Sequence, residues 1–227
     1  MSVKVCVFDA YGTLFDVNEA ARQAAAQPGQ DSLRAVWSNL SADWRRKQLE
    51  YSWLRAVVGE HTDFWQVTCD ALDWAREKHG LTDPVQRELL LALYWELPAY
   101  PEAAPVLGQL VRAGKRCAIL SNGSPEMLEG AVDFADIGDL LDRVLSVEDV
   151  GVFKPARAVY DMVGAAFDTQ PAEVLFVSSN GWDIAGAAHY GFRTAWVNRA
   201  GDPVDRLFAG PAEVLGDLTG VPELAGA

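Results

Sequence analysis

Val3-Lys4-Val5-Cys6-Val7-Phe8-Asp9-Ala10-Tyr11-Gly12-Thr13 is a short apolar run, rich in β-branched residues, that breaks into a polar turn containing glycine. Such a run reads as a buried strand that delivers Asp9 at its C-terminal end. Three further runs have the same form. Arg116-Cys117-Ala118-Ile119-Leu120 is closed by Ser121-Asn122-Gly123-Ser124-Pro125, and Glu173-Val174-Leu175-Phe176-Val177 by Ser178-Ser179-Asn180-Gly181. The last is Arg193-Thr194-Ala195-Trp196-Val197. Helical stretches over residues 102–113, 126–134, 157–167 and roughly 183–190 separate them. Strands alternating with helices predict a parallel sheet with right-handed crossovers, an α/β class with a Rossmann-like parallel-sheet core.

Residues 16–99 interrupt this alternation. They hold no convincing strand and are rich in Ala, Leu, Trp, Glu and Arg at helical spacing. Amphipathic helices are expected at 43–58 and 64–79, punctuated by Gln27-Pro28-Gly29-Gln30 and Thr82-Asp83-Pro84. The expected organisation is an α/β core built from residues 1–15 and 100–227, with an inserted all-helical cap over 16–99. The tail from Gly216 is expected to be loosely held.

With 227 residues, half of them apolar and 22% charged, the chain can bury a sizeable core. Its 19 Lys+Arg against 32 Asp+Glu leave a formal charge of −13, which repels nucleic-acid phosphates and anionic membrane surfaces. A small anion bound in a locally basic pocket stays compatible with that balance. Cys6, Cys69 and Cys117 fit neither a disulfide framework nor a zinc spacing, and Cys6 and Cys117 lie in strand-like runs as small hydrophobes. No apolar run reaches the ~20 residues of a membrane span, and the N-terminus enters a strand pattern at once, leaving no room for a signal peptide. A soluble cytoplasmic protein without nucleic-acid or membrane partners is the expectation.

Ligands of open α/β sheets bind outside the carboxyl ends of the strands. Three polar turns lie at such ends: 9–13, 121–124 and 178–183. The helical insert leaves from the same rim, so it is placed to close over a site there as a lid.

Four motifs resemble those of the haloacid dehalogenase superfamily. They are Phe8-Asp9-Ala10-Tyr11-Gly12-Thr13-Leu14-Phe15-Asp16, Leu120-Ser121-Asn122-Gly123, Lys154-Pro155, and Ser178-Ser179-Asn180-Gly181-Trp182-Asp183. Most of that superfamily are magnesium-dependent phosphatases, which carry Asp-x-Asp in the first motif and two acids in the fourth. Here Tyr11 replaces the second aspartate and Ser178 the leading acid, so Asp9 and Asp183 alone would make a thin magnesium site. Both departures are similar to L-2-haloacid dehalogenases. So is Trp44-Arg45-Arg46-Lys47-Gln48-Leu49-Glu50-Tyr51-Ser52-Trp53-Leu54-Arg55 inside the insert, except that Arg46 stands where that subfamily usually has glutamine. That exchange would add a charge beside the pocket.

The resemblance implies a metal-independent hydrolase that needs no cofactor and forms a homodimer. Asp9 would attack the α-carbon of a short L-2-haloacid and form an ester. Water would then release the D-2-hydroxy acid. Thr13 and Lys154 would hold Asp9. Asp183, Asn180 and Ser178 would surround the attacking water, with Tyr160 orienting that group. The substrate carboxylate would meet Ser121 and the backbone N–H groups of Ala10, Tyr11 and Asn122. Arg45, the Asn122 amide and the edge of Trp182 would receive the halide. Leu49, Phe64 and Tyr11 would complete an apolar wall. His61, His79 and His189 fall outside every motif, which disfavours a histidine base. The competing readings are a phosphatase with an altered metal shell and a non-catalytic binder of small carboxylates.

Overall fold

The computed structural model describes residues 2–227. Six strands, β1 (Val5–Phe8), β2 (Arg116–Ser121), β3 (Arg143–Ser146), β4 (Val174–Ser178), β5 (Arg193–Val197) and β6 (Glu213–Leu215), form one sheet in the order β3-β2-β1-β4-β5-β6. Every neighbouring pair is parallel. The four sequence-predicted strands are its central ones, and each is buried along nearly its whole length. Burial on both faces explains why they read as apolar runs without alternation. Cys6 pairs in register with Cys117, and burial pushes both thiols up to about 12, so they behave as small core hydrophobes.

The sequence reading missed β3 and β6. Both are short, both lie at the sheet edges, and half or more of their residues face solvent, so no apolar run marks them. The loosely held tail is also corrected. After β6 a short turn leads into α10 (Val221–Ala225), and Leu218, Val221 and Ala225 are buried against the core.

Helices α6 (Ala103–Arg112), α7 (Pro125–Phe134), α8 (Arg157–Phe167) and α9 (Gly181–Tyr190) connect the strands. Between β1 and α6 the named elements are all helices: α1 (Glu19–Ala26), α2 (Asp31–Arg34), α3 (Trp37–Val58), α4 (Phe64–Lys78) and α5 (Pro84–Trp95). Helix α3 starts earlier than the expected 43 and ends where Gly59 takes φ +74° and donates its N–H to the Arg55 carbonyl. Asp63 then caps α4 by accepting from the Gln66 N–H at 2.9 Å.

Side-chain bonds fix α3 against α4. The Trp44 indole donates to the Thr68 carbonyl at 2.9 Å, and Gln48 Nε2 to Thr68 Oγ1 at 2.9 Å. Asp43 accepts from Lys78 at 2.7 Å, from Arg46 at 3.0 Å, and stands 2.9 Å from His79 Nε2. The Lys78 hydrogen bond is the main cause that holds the Asp43 carboxyl far below the usual range. Arg46 is spent here: it also pairs with Glu50 at 3.1 Å and lies over the Trp74 ring. The expected extra charge beside the pocket is therefore absent, because Arg46 points along the outside of α3.

Two segments join the helices to the sheet. Tyr100 N–H donates to the Leu14 carbonyl at 2.8 Å and Asp16 N–H to the Pro98 carbonyl at 3.0 Å, with an antiparallel bridge between Phe15 and Ala99. Both segments lie at the carboxyl edge of the sheet, next to the β1–β4 switch point.

Candidate active site

Asp9 follows β1 directly and is 6% exposed. The turn after it is tight. The Ala10 carbonyl accepts from the N–H groups of Thr13, Leu14 and Phe15, and Gly12 takes φ +87°. A Cβ at Gly12 would also lie 3.1 Å from Ser179 Oγ, so two constraints select glycine there.

The two oxygens of Asp9 differ in their partners. Oδ2 accepts from Asn180 Nδ2 at 2.9 Å, Thr13 Oγ1 at 3.0 Å and Ser178 Oγ at 3.5 Å. Oδ1 accepts from Lys154 Nζ at 3.1 Å. Thr13 is held in turn, because its Oγ1 accepts the Ser179 N–H at 2.8 Å. Ser178 ends β4 and Asn180 immediately precedes α9, so the sheet and the helix start together set these donors.

Lys154 Nζ also donates to Asp183 Oδ2 at 2.8 Å, and Tyr160 donates its hydroxyl to Asp183 Oδ1 at 2.8 Å. Lys154 and Asp183 are 1% and 0% exposed. Burial opposes the charge on Lys154, but Asp183 and Asp9 overcome it and the ammonium is held above its ordinary range. Burial raises the Asp183 carboxyl despite the Lys154 charge. Burial, reinforced by Asp183, likewise holds the Tyr160 phenol well above its usual range. The peptide before Pro155 is cis, and the Lys154 N–H donates to Asn122 Oδ1 at 2.9 Å, which leaves the Asn122 amide NH₂ for the pocket.

Asp9, Tyr11, Arg45, Leu49, Phe64, Ser121, Asn122 and Trp182 line one small, partly open pocket. Larger surface grooves exist, but they hold none of the carboxylates at the strand ends. Arg45 and Leu49 reach the pocket one turn apart on α3, and Arg45 Nη2 stands 3.3 Å from the Tyr11 carbonyl and 3.4 Å from Asn180 Oδ1. Among the described residues no carboxylate pairs with Arg45 in an ion bridge, and the buried Trp182 Nε1 has no hydrogen-bond partner. Ser121 Oγ accepts the Gly123 N–H at 3.1 Å, so its own proton is available. The N–H groups of Ala10, Tyr11 and Asn122 make no hydrogen bond to the described chain. The pocket therefore combines unspent donors with apolar walls, and it meets one held carboxylate. No three His, Cys, Asp or Glu side chains among the described residues gather as a metal cluster. None of the histidines enters: His61 meets Glu148, His79 meets Asp43, and His189 packs on Phe208.

Some residues of this site were given no part in it by the sequence. Tyr94 stacks on Tyr11 at 5.9 Å and bonds Gln48, while Trp53 sets its edge on Trp182 at 5.4 Å. Trp53 follows Arg45 and Leu49 at i+8 and i+4 on α3, so helical spacing was the signal that could have found it. Tyr94 lies on α5 and had no such signal. Gly186 is a third: a Cβ there would strike the Tyr160 hydroxyl and stand 2.7 Å from Pro155 Cβ. Gly186→Ala is expected to push α9, with Asp183, away from Tyr160 and Lys154. The expected result is a loss of about 1–3 kcal/mol in urea denaturation and a turnover lower by about 10-fold.

The family model of the haloacid dehalogenase-like hydrolases matches residues 3–191. The (S)-2-haloacid dehalogenase 1 of Pseudomonas sp. (strain CBS-3) is 44% identical over 223 residues, covering 98% of this chain and 96% of that protein. A dehalogenase solved with an intermediate complex superposes with a TM-score of 0.94 at 40% identity, over 100% of this chain and 98% of the other. The L-2-haloacid dehalogenase of Xanthobacter autotrophicus, solved with chloropropionic acid covalently bound, gives 0.86 at 38% identity over 99% of each chain. With its parallel sheet, its helical insert and the held Asp9 at the strand end, this chain belongs to the haloacid dehalogenase-like hydrolase family.

Proposed function

We propose that the protein is an (S)-2-haloacid dehalogenase that converts short L-2-haloacids into D-2-hydroxy acids and halide. The observation that carries this reading is the pocket itself. Arg45, which no carboxylate neutralises, and an unpartnered Trp182 indole share a small space with the singly bonded Oδ1 of Asp9. Residues 16–99 act as the cap that supplies Arg45, Leu49 and Phe64 to a core made of 1–15 and 100–227.

In the first step Asp9 Oδ1 attacks the α-carbon as the carbon–halogen bond breaks, and the halide leaves with the electron pair. Oδ1 is the nucleophile because Oδ2 already accepts three hydrogen bonds. Ser121 and the free backbone N–H groups hold the substrate carboxylate. Arg45, the Asn122 amide and Trp182 Nε1 receive the halide. Leu49, Phe64 and Tyr11 keep water away during displacement.

In the second step water attacks the Asp9 carbonyl carbon. Charge gathers on Oδ2, where Thr13, Asn180 and Ser178 donate. Asp183 accepts the water proton, since burial makes it a stronger base than an ordinary carboxylate. Tyr160 and Lys154 fix its two oxygens. The acyl–oxygen bond then breaks, Asp183 returns its proton to the leaving alkoxide, and Asp9, now holding one oxygen from water, releases the second water proton to solvent and is restored as a carboxylate. Inversion at carbon happens once, in the first step.

Incubation with racemic 2-chloropropionate and excess chelator tests this. Chloride should reach half of the racemate, with D-lactate formed and D-2-chloropropionate left. Absence of chloride sinks the proposal, and phosphate-ester hydrolysis that depends on Mg²⁺ would point to the phosphatase instead. Among the described residues no helix is long and apolar enough to cross a membrane. A homodimer belongs to the same reading, and the exposed Leu54, Val57 and Val58 at the end of α3 offer it an apolar face. Sedimentation at twice the monomer mass is the expected result.

A further inference from the structure

Arg199 lies two residues beyond β5, outside all four motifs, and its guanidinium makes three contacts where the helical insert meets the sheet. Nη1 donates to Glu102 Oε1 at 2.6 Å and Nη2 to the Thr13 carbonyl at 3.2 Å. The guanidinium carbon lies 3.7 Å from the centre of the Tyr100 ring. Thr13 and Tyr100 belong to the two connecting segments, one leaving the sheet and one returning to it. One cation therefore grips both.

Thr13 is also the residue whose hydroxyl holds Asp9 Oδ2 at 3.0 Å. The Arg199 bond fixes the carbonyl of the same residue, so a single residue separates Arg199 from the nucleophile. The Arg199 and Glu102 side chains are only 23% and 19% exposed, which strengthens their charge-assisted bond. The planar guanidinium can serve a carboxylate, a carbonyl and a ring at once, and an ammonium cannot.

We propose that Arg199 is a positioning residue for the nucleophile. It anchors Thr13 to the core, so that movement of the cap about Phe15 and Ala99 does not displace the hydroxyl that orients Asp9. This inference rests on the nucleophilic role proposed for Asp9. The rival explanation is an ion pair with Glu102 that serves stability alone.

The test compares wild type, Arg199→Met, Arg199→Lys and Glu102→Gln. Chloride release from 2-chloropropionate gives kcat and KM, thermal melting gives stability, and ¹⁵N-labelled protein gives the Ser179 amide. That amide donates to Thr13 Oγ1 at 2.8 Å, so it reports the position of Thr13 without any reaction. Arg199→Met should lower kcat by about 10- to 100-fold with KM within about two-fold. Arg199→Lys should fall between it and wild type. Glu102→Gln should stay within about three-fold of wild type, although it breaks the same ion pair. The Ser179 amide should shift and exchange faster in both Arg199 variants and remain unchanged in Glu102→Gln.

An unchanged kcat and Ser179 amide in Arg199→Met overturns the proposal, as does a Glu102→Gln variant that reproduces its loss of kcat. Should Arg199→Met fail to fold, Arg199→Lys decides, because a wild-type kcat and amide signal there also overturn it. If wild type itself releases no chloride, the dehalogenase reading falls. The amide arm then judges the anchor alone: a shift supports it and an unmoved signal removes it.

Discussion

Asp9→Ala is expected to lower chloride release by at least about 10⁴-fold while the protein keeps its far-UV spectrum and cooperative melting. The oxygen that forms the ester is removed, and no other carboxylate can replace it. Asp183 is fully buried and its two oxygens are held by Lys154 and Tyr160. Stability should change little or rise, since the substitution removes a buried charge whose partner Lys154 keeps Asp183. The covalent step offers a direct check. Single turnover of wild type in H₂¹⁸O should place the heavy oxygen in Asp9 and leave the first hydroxy acid unlabelled, because the acyl–oxygen bond is the one that breaks. Heavy oxygen in the first product would mean that water attacks the substrate carbon directly, and Asp9 would then be a base.

Lys154→Met should have the second-largest effect. Lys154 is 1% exposed and bridges two carboxylates, at 3.1 Å to Asp9 and 2.8 Å to Asp183. Its removal leaves two like charges buried without a counter-ion, a loss of roughly 3–5 kcal/mol in urea denaturation at neutral pH. Turnover should fall by at least about 10²-fold, because Asp9 Oδ1 loses the donor that orients it and Asp183 loses one of the two groups that hold it.

The pH dependence follows from the shifts. The folded-state value of Lys154 is raised, so its contribution is complete below the ordinary lysine value of 10.5 and is lost as pH rises through the folded value. Wild type should therefore lose stability on that alkaline limb, and the variant should not show it. The Asp183 carboxyl is also raised, so the folded state holds a proton that the unfolded chain releases above the ordinary value of 3.8. Its contribution is present below that value and disappears as pH rises through the folded one. Without Lys154 that window widens, and the variant should be closer to wild type at pH 5 than at pH 8. A constant stability difference across that interval would show that the three groups are not electrostatically coupled.

Much of this arrangement was legible in the residues. The central strands announce themselves as apolar runs because both faces of the sheet are covered, and β1, β2 and β4 each end in a polar turn that the residues themselves reveal. The pocket residues named from sequence do meet: Tyr11, Arg45, Leu49, Phe64, Ser121, Asn122 and Trp182 line one space with Asp9. The edge strands were not legible. Arg143 and Val144 of β3 and two of the three β6 residues face outward, so nothing in their composition separates them from loop. The C-terminal segment failed for a related reason: Leu218 and Val221 are isolated apolar residues whose burial depends on a surface assembled elsewhere.

Local chemistry determined the strand ends, the polar turns and the helical character of the insert, because pleat, helical period and glycine turns act over a few residues. It also placed Asp9 at the end of a strand. Tertiary structure decided which charges are paired. Arg46 and Arg45 are neighbours on α3, yet one turns outward to Asp43 and Glu50 while the other enters the pocket without a carboxylate. Only the packing of α3 against α4 sets that difference. Tertiary structure likewise brought Arg199 to Thr13, across 186 residues of chain. A guanidinium reads as solvated or anchoring only once the surfaces that desolvate it exist, and those surfaces come from segments far apart in sequence.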